Sequence, residues 1–306
     1  MLLAAAISDA HGARGADRLN VYLARNGYCG ARLIHPGNFY TLPIRSNGKA
    51  GNLLIDTGAP STLIFRSSLR RLHLVESRTR EQVIGAFGKG RDILGLTKIK
   101  AFSAGNCTLT NVPAEIAEGG GRSFREVRSD GLLGLRELVK FGAVLDLQNQ
   151  LLYFRPSRPS TKVSAEIRSI LVGEGCTRIP LLRVGDHLLV EGALNGVRCR
   201  FIIDTGDYLT TLSPGYVARA KLKLKPTPFV ANGLGGSSTV EMVTFPSLRF
   251  GNYEIRNGSA TVSSLSPEIF GSSSGIAGLI GIEYLALNYA VFDFIDSVLY
   301  VRPRPR

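Results

Sequence analysis

The tripeptide Asp-Thr-Gly occurs twice, at Asp56-Thr57-Gly58 and at Asp204-Thr205-Gly206, 148 residues apart in a chain of 306. Each copy ends an apolar run, Leu53-Leu54-Ile55 in the first and Phe201-Ile202-Ile203 in the second. A carboxylate at the end of a buried strand is costly unless something binds it. Two such carboxylates in matching halves therefore point to a place where they meet. Two facing Asp side chains can activate a water molecule.

The repeat extends beyond the tripeptide. Asn47-Gly48 precedes the first copy and Asn195-Gly196 precedes the second at the same distance. Asn-Gly is the preferred pair for a type I′ hairpin turn, so in each half a hairpin is expected to lead to the Asp. Downstream, Leu132-Leu133-Gly134-Leu135 matches Leu279-Ile280-Gly281-Ile282. Asp146 and Asp293 follow at the same offset, as do Tyr153 and Tyr300. At average composition, a single Asp-Thr-Gly is expected in about one such chain in ten or twenty. Two copies with matched flanks indicate an internal duplication of a module of roughly 130 residues, a size suited to a modest domain. The mixture of short apolar runs, turn residues and 35 glycines suits a mostly β chain.

These residues resemble the aspartic peptidase family, over a span from about Tyr28 to Pro303. The resemblance rests on Ile55-Asp-Thr-Gly-Ala-Pro-Ser-Thr62, on Ile203-Asp-Thr-Gly-Asp-Tyr-Leu-Thr-Thr211, and on the two apolar-apolar-Gly segments. It implies a two-lobe, pepsin- or retropepsin-like β-barrel fold, with both lobes in one chain. The short lobes and Ala59 look closer to the retroviral-like peptidases of bacteria. By resemblance, Asp56 and Asp204 form the catalytic pair. Thr57 and Thr205 hydrogen-bond across the lobe interface, and Gly58 and Gly206 let backbone N–H groups approach the carboxylates. Gly134 and Gly281 sit where a strand passes close behind each Asp loop. Phe87-Gly88-Lys89-Gly90 looks like a flap tip, with Phe87 where pepsin-like enzymes have Tyr. Gly235 and Gly236 hold the corresponding place in the second half; an ordinary β-turn is the simpler reading there. The implied activity is endopeptidase cleavage of a peptide or protein substrate by a monomer, without metal or organic cofactor. The rival is a peptide-binding protein that kept the fold and lost catalysis.

The second copy departs from the family pattern at Asp207, where Ser, Thr or Ala is usual. If its charge reaches the pair, it should raise the pair's lower apparent pKa and so move the acidic limb of activity upward. If it points to solvent or pairs with an Arg, it is a bystander.

The boundaries read as a leader over 1–27, an N-terminal lobe over 28–156, a Pro/Ser-rich linker over 157–170 and a C-terminal lobe over 171–303. The first residues, Met1-Leu-Leu-Ala-Ala-Ala-Ile7, lack the basic n-region of a standard signal peptide. They read either as the remnant of an export signal or as a disordered leader. A secreted or periplasmic address is favoured, with a cytoplasmic one open. The net charge of +13 is uneven, +10 over residues 1–160 and +3 over 161–306. No basic run is interleaved with aromatics, which argues against nucleic acid as a partner. Four cysteines allow three pairings, and their spacing does not support a zinc site. His11, His35, His73 and His187 are scattered and read as exposed or structural. Asp146 and Asp293 each precede a terminal hairpin and read as turn or strand-end residues rather than catalytic ones.

Overall fold

The computed structural model describes residues 16–77, 81–85, 88–93, 95–118, 127–155, 161–233, 236–264 and 275–302. It is mostly β and built twice over. In the first half, six strands close a barrel in the order Thr41–Ser46, Lys49–Ile55, Gly131–Leu133, Leu63–Phe65, Cys107–Ala117, Gly95–Ala104. The second half forms an eight-stranded sheet. The strand His187–Leu194 also pairs with Gly236–Phe250, so this sheet curls into a second barrel.

The expected hairpins are present. Asn47 and Gly48 have φ of 48° and 83°, and Asn195 and Gly196 have 49° and 80°. These are the left-handed angles a type I′ turn requires, which explains why Asn-Gly stands at both turns. Each hairpin delivers a strand whose last residues are buried: Leu53, Leu54 and Ile55 in one lobe, Phe201, Ile202 and Ile203 in the other. The apolar-apolar-Gly strands run parallel to them, with Ile55 beside Leu133 and Ile203 beside Ile280.

A third sheet joins the lobes. Its order is Cys29–Arg32, Leu151–Phe154, Val144–Asp146, Val291–Asp293, Val298–Val301, Thr177–Pro180. The central pairing is antiparallel between the two halves, with Leu145 opposite Phe292. Asp146 accepts bonds from the backbone and side chain of Asn149, and Asp293 accepts one from the Ile295 N–H. Both end a strand and hold the turn that follows it, the strand-end role that their positions suggested.

Two segments differ from the expected boundaries. Ala16–Arg25, assigned from sequence to a leader, is an α-helix. Its Leu19 and Leu23, one turn apart, are fully buried and belong to a cluster with Val144, Tyr153, Val291 and Tyr300 of the joining sheet. Thr161–Gly173, expected to be largely linker, is a second helix that buries Val163, Ile167, Ile170 and Leu171 in the same cluster. The Ala, Gly and Arg content of the first segment and the polar start of the second masked short apolar stripes at helical spacing.

Cys29 and Cys107 form a disulfide that ties the joining sheet to the first barrel. Cys176 and Cys199 are buried free thiols. No helix among the described residues is long and apolar enough to cross a membrane.

Candidate active site

Asp56 and Asp204 stand at the ends of equivalent strands. The Asp56 N–H donates to Leu133 O at 3.1 Å, and the Asp204 N–H to Ile280 O at 3.0 Å. These bonds lock each Asp to the strand that precedes Gly134 or Gly281. The chain then turns back so that its own N–H groups face the carboxyl. Gly58 and Ala59 both donate to Asp56 Oδ1 at 2.9 Å. Gly206 and Asp207 donate to Asp204 Oδ1 at 2.8 and 3.2 Å.

The two loops meet. Thr57 and Thr205 are fully buried and exchange bonds in both directions. Each hydroxyl also donates at 2.8 Å to the opposite lobe: Thr57 Oγ1 to Ile203 O and Thr205 Oγ1 to Ile55 O. Gly58 lies against the Asp204 carboxyl and Gly206 against that of Asp56, each so close that a Cβ would collide with it. Each carboxyl thus faces the loop that carries the other, close enough for each to act on the other's proton.

A second tier holds the loops from behind. A Cβ on Gly134 would run into the backbone of Ser61, and one on Gly281 would lie 2.7 to 2.8 Å from the backbone of Leu209 and Thr210. Leu135 and Arg136 donate to Ala59 O and Pro60 O; Ile282 and Glu283 donate to Asp207 O and Tyr208 O. Two acids complete this tier. Glu137 Oε2 accepts from the Thr62 N–H and hydroxyl at 2.8 and 2.7 Å, and Glu283 Oε1 accepts from the Thr210 N–H at 2.6 Å. Thr62 and Thr210 in turn accept from the N–H of Gly134 and Gly281. Neither glutamate was singled out from sequence. The signal was available: both fall two or three residues after the matched glycines.

Of the expected flap residues, Gly88, Gly90 and Gly236 are among the described residues. Glu81–Gly85 and Gly88–Ile93 form a hairpin in which Gly85 pairs with Gly88. Gly88 is the first residue of its strand after the connection and Gly90 follows two residues along it; Phe87 lies outside the described residues. In the second half, Gly233 pairs with Gly236 at the head of the hairpin Lys225–Gly233 and Gly236–Phe250; Gly235 lies outside the described residues.

Electrostatics follow from burial. Asp56 is pushed well above the ordinary carboxylate range by desolvation and by the facing charge of Asp204. Asp204 is raised by desolvation, offset in part by the N–H bonds from Gly206 and Asp207 and by the facing Asp56 carboxyl. His187 also acts on Asp204, a proximity that its isolated place in the sequence did not reveal. Burial lowers its pKa, and its Nδ1 is buried without a hydrogen-bond partner.

The aspartyl protease family model matches this chain twice, over residues 42–136 and 190–284. The chain belongs to the aspartyl protease family. The two matches span both Asp loops, the hairpins that deliver them and the glycines behind them. The fold also aligns with the crystal structure of the aspartic proteinase from Irpex lacteus, with a TM-score of 0.54 and 13% identity over 90% of this chain and 97% of that one. At that identity the likeness concerns the fold alone. No sequence among the curated proteins matches.

Proposed function

We propose that this aspartyl protease family member is an active endopeptidase whose catalytic pair is Asp56 and Asp204. The observation that carries the reading is the close approach of the two carboxyls at the junction of the duplicated loops, where Gly58 lies against the Asp204 carboxyl and Gly206 against that of Asp56. Two acids this close cannot both ionise easily, so the pair retains one proton, the general condition of aspartic proteases. The proton belongs to the pair rather than to either residue. The ionised partner draws a proton from a water held between them. That water attacks the peptide carbonyl carbon, while the protonated partner donates to the developing oxyanion. Collapse of the tetrahedral diol breaks the C–N bond: the amine leaves with a proton from the pair, and a diol hydroxyl gives its proton back to the pair as the product carboxyl forms, which restores the single shared proton.

Thr57, Thr205, Gly58 and Gly206 position the pair, and Gly134 and Gly281 hold its loops from behind. The hairpins that carry Gly88 and Gly90 and Gly236 are proposed to meet an extended substrate by strand addition. Both halves of the site lie in one chain, so the protein works as a monomer on a peptide or protein substrate.

The test is hydrolysis of casein and of a peptide library across pH, with and without a statine-type inhibitor. Inhibitor-sensitive cleavage that disappears in Asp56→Asn supports the reading. Tight peptide binding without cleavage at any pH would replace it with the binding-protein alternative.

A further inference from the structure

We propose that Asp207 is a positioning residue that acts on the dyad through Asp204 and sets the alkaline edge of the pH range in which the pair keeps its shared proton. The proposal rests on the reading of Asp56 and Asp204 as the catalytic pair.

The loop after Asp204 folds Asp207 inward. Its N–H donates to Asp204 Oδ1 at 3.2 Å and its carbonyl accepts from Ile282 at 2.8 Å. Its carboxyl turns to the Thr211 hydroxyl, 3.3 Å from Oδ2. That hydroxyl has one proton and closer claimants, Thr261 Oγ1 at 2.8 Å and Leu209 O at 3.1 Å. Thr261 can use its own proton on Thr210 O, leaving Thr211 to supply the bond between the two hydroxyls. An ionised Asp207 is thus poorly served, apart from the N–H of Tyr208. A protonated one can donate to Thr211 Oγ1.

The groups facing it sharpen this. Asp204 stands on its own loop, with Asp56 beyond it. Glu283, from the helix Ile282–Leu287, faces it from behind, and Glu283 Oε2 is buried without a partner. His187 reaches Asp204 from the strand His187–Leu194, and burial favours its neutral form. Among the described residues neither Asp207 nor Glu283 enters an ion pair with Lys or Arg. Burial and the charges of Asp204 and Glu283 push the Asp207 carboxyl up to about 8, and burial pushes Glu283 up to about 7. The first lobe has no counterpart, since Ala59 supplies the same N–H to Asp56 and no side-chain acid.

The consequence reverses the expectation from sequence. In the acidic range Asp207 is neutral, so it leaves the acidic limb of activity alone. Its charge appears only on the alkaline side, where it opposes loss of the last proton from the pair. Activity therefore persists to higher pH than the dyad alone would permit.

The experiment compares wild type, Asp207→Asn and Asp207→Ser. In the kcat/KM profile of a quenched peptide, the acidic limb should coincide in all three, and the alkaline limb of both variants should fall by half a pH unit or more. An unmoved or raised alkaline limb overturns the proposal, as does a displaced acidic limb. A second readout needs no turnover: carboxyl carbon NMR titration of aspartate-labelled protein. A signal titrating far above the ordinary aspartate range should vanish in Asp207→Asn, and the highest-titrating remaining signal should move down. A vanished signal that titrated near 4, or remaining signals that stay put, rejects the role of Asp207. If wild type cleaves nothing while the NMR shifts appear, it is the peptidase reading that fails.

Discussion

Thr57 and Thr205, one from each lobe, each donate a backbone N–H to the other's hydroxyl oxygen, at 3.1 and 3.0 Å. Both residues are sealed from solvent, so neither bond competes with water. Thr57→Val removes a donor to Ile203 O and an acceptor for the Thr205 N–H, leaving two buried polar groups unpaired. Each such group costs about 1–3 kcal/mol. We expect Thr57→Val to destabilise the protein by several kcal/mol and Thr57→Ser to restore most of the loss. Urea unfolding of the three proteins checks this; equal midpoints would show that the exchange contributes nothing.

Asp56→Asn and Asp204→Asn should each reduce kcat by roughly three orders of magnitude or more, with the double variant little worse than either single. Circular dichroism should stay native-like, because an amide keeps the acceptor that the loop N–H groups use. A single variant with near wild-type turnover would remove the pair from the mechanism.

Gly134→Ala should destabilise more than Gly281→Ala. The added methyl on Gly134 meets the rigid backbone of Ser61 more closely than the one on Gly281 meets Leu209 and Thr210. Overpacking of this kind costs about 1–3 kcal/mol. Thermal unfolding ranks the two, and the reverse order would show that the Leu209–Thr210 side yields less readily.

Stability should fall as pH rises from about 4 towards 8. Asp56, Asp204, Asp207 and Glu283 all hold protons more tightly folded than unfolded, with Glu283 raised to about 7 and Asp207 to about 8. Between the unfolded and folded values, the native state binds more protons, so raising pH favours unfolding. Their contribution is complete below the unfolded values and lost through the folded ones. Asp207→Asn should flatten this decline. Denaturant midpoints at pH 4.5 and 8 report it; a wild-type midpoint that climbs over that range would contradict the assignment.

Peptide mapping without reductant should recover Cys29 linked to Cys107, with Cys176 and Cys199 alkylated only after unfolding. Closing a loop with a sequence separation of 78 stabilises by about 4 to 5 kcal/mol on the chain-entropy account. Reduction, or Cys107→Ala, should lower the unfolding midpoint accordingly. Recovery of any other pair would refute the link.

The repeated parts of the fold were legible because repetition turns weak local signals into paired ones. Asn47-Gly48 alone suggests a turn; with Asn195-Gly196 at the same distance from an Asp, it fixes two hairpins. Asp207 was visible as a departure, but sequence could not say whether it faced solvent, an arginine or the dyad. That depended on Thr211 and on Glu283, 76 residues further on, meeting behind one loop. His187 escaped for the same reason. The helix Ala16–Arg25 was missed because Leu19 and Leu23 are few and lie among polar and small residues, while the surface that buries them comes from strands more than 100 residues away.

The antiparallel pairing of Val144–Asp146 with Val291–Asp293 runs through the middle of the joining sheet. In a protease assembled from two copies of one short chain, a single codon writes both sides of the site. A change on one side is then imposed on the other. Fusion of the halves through this sheet releases that constraint. Ala59 can stand beside one Asp and Asp207 beside the other, a heterozygous pair of loops inherited as one gene.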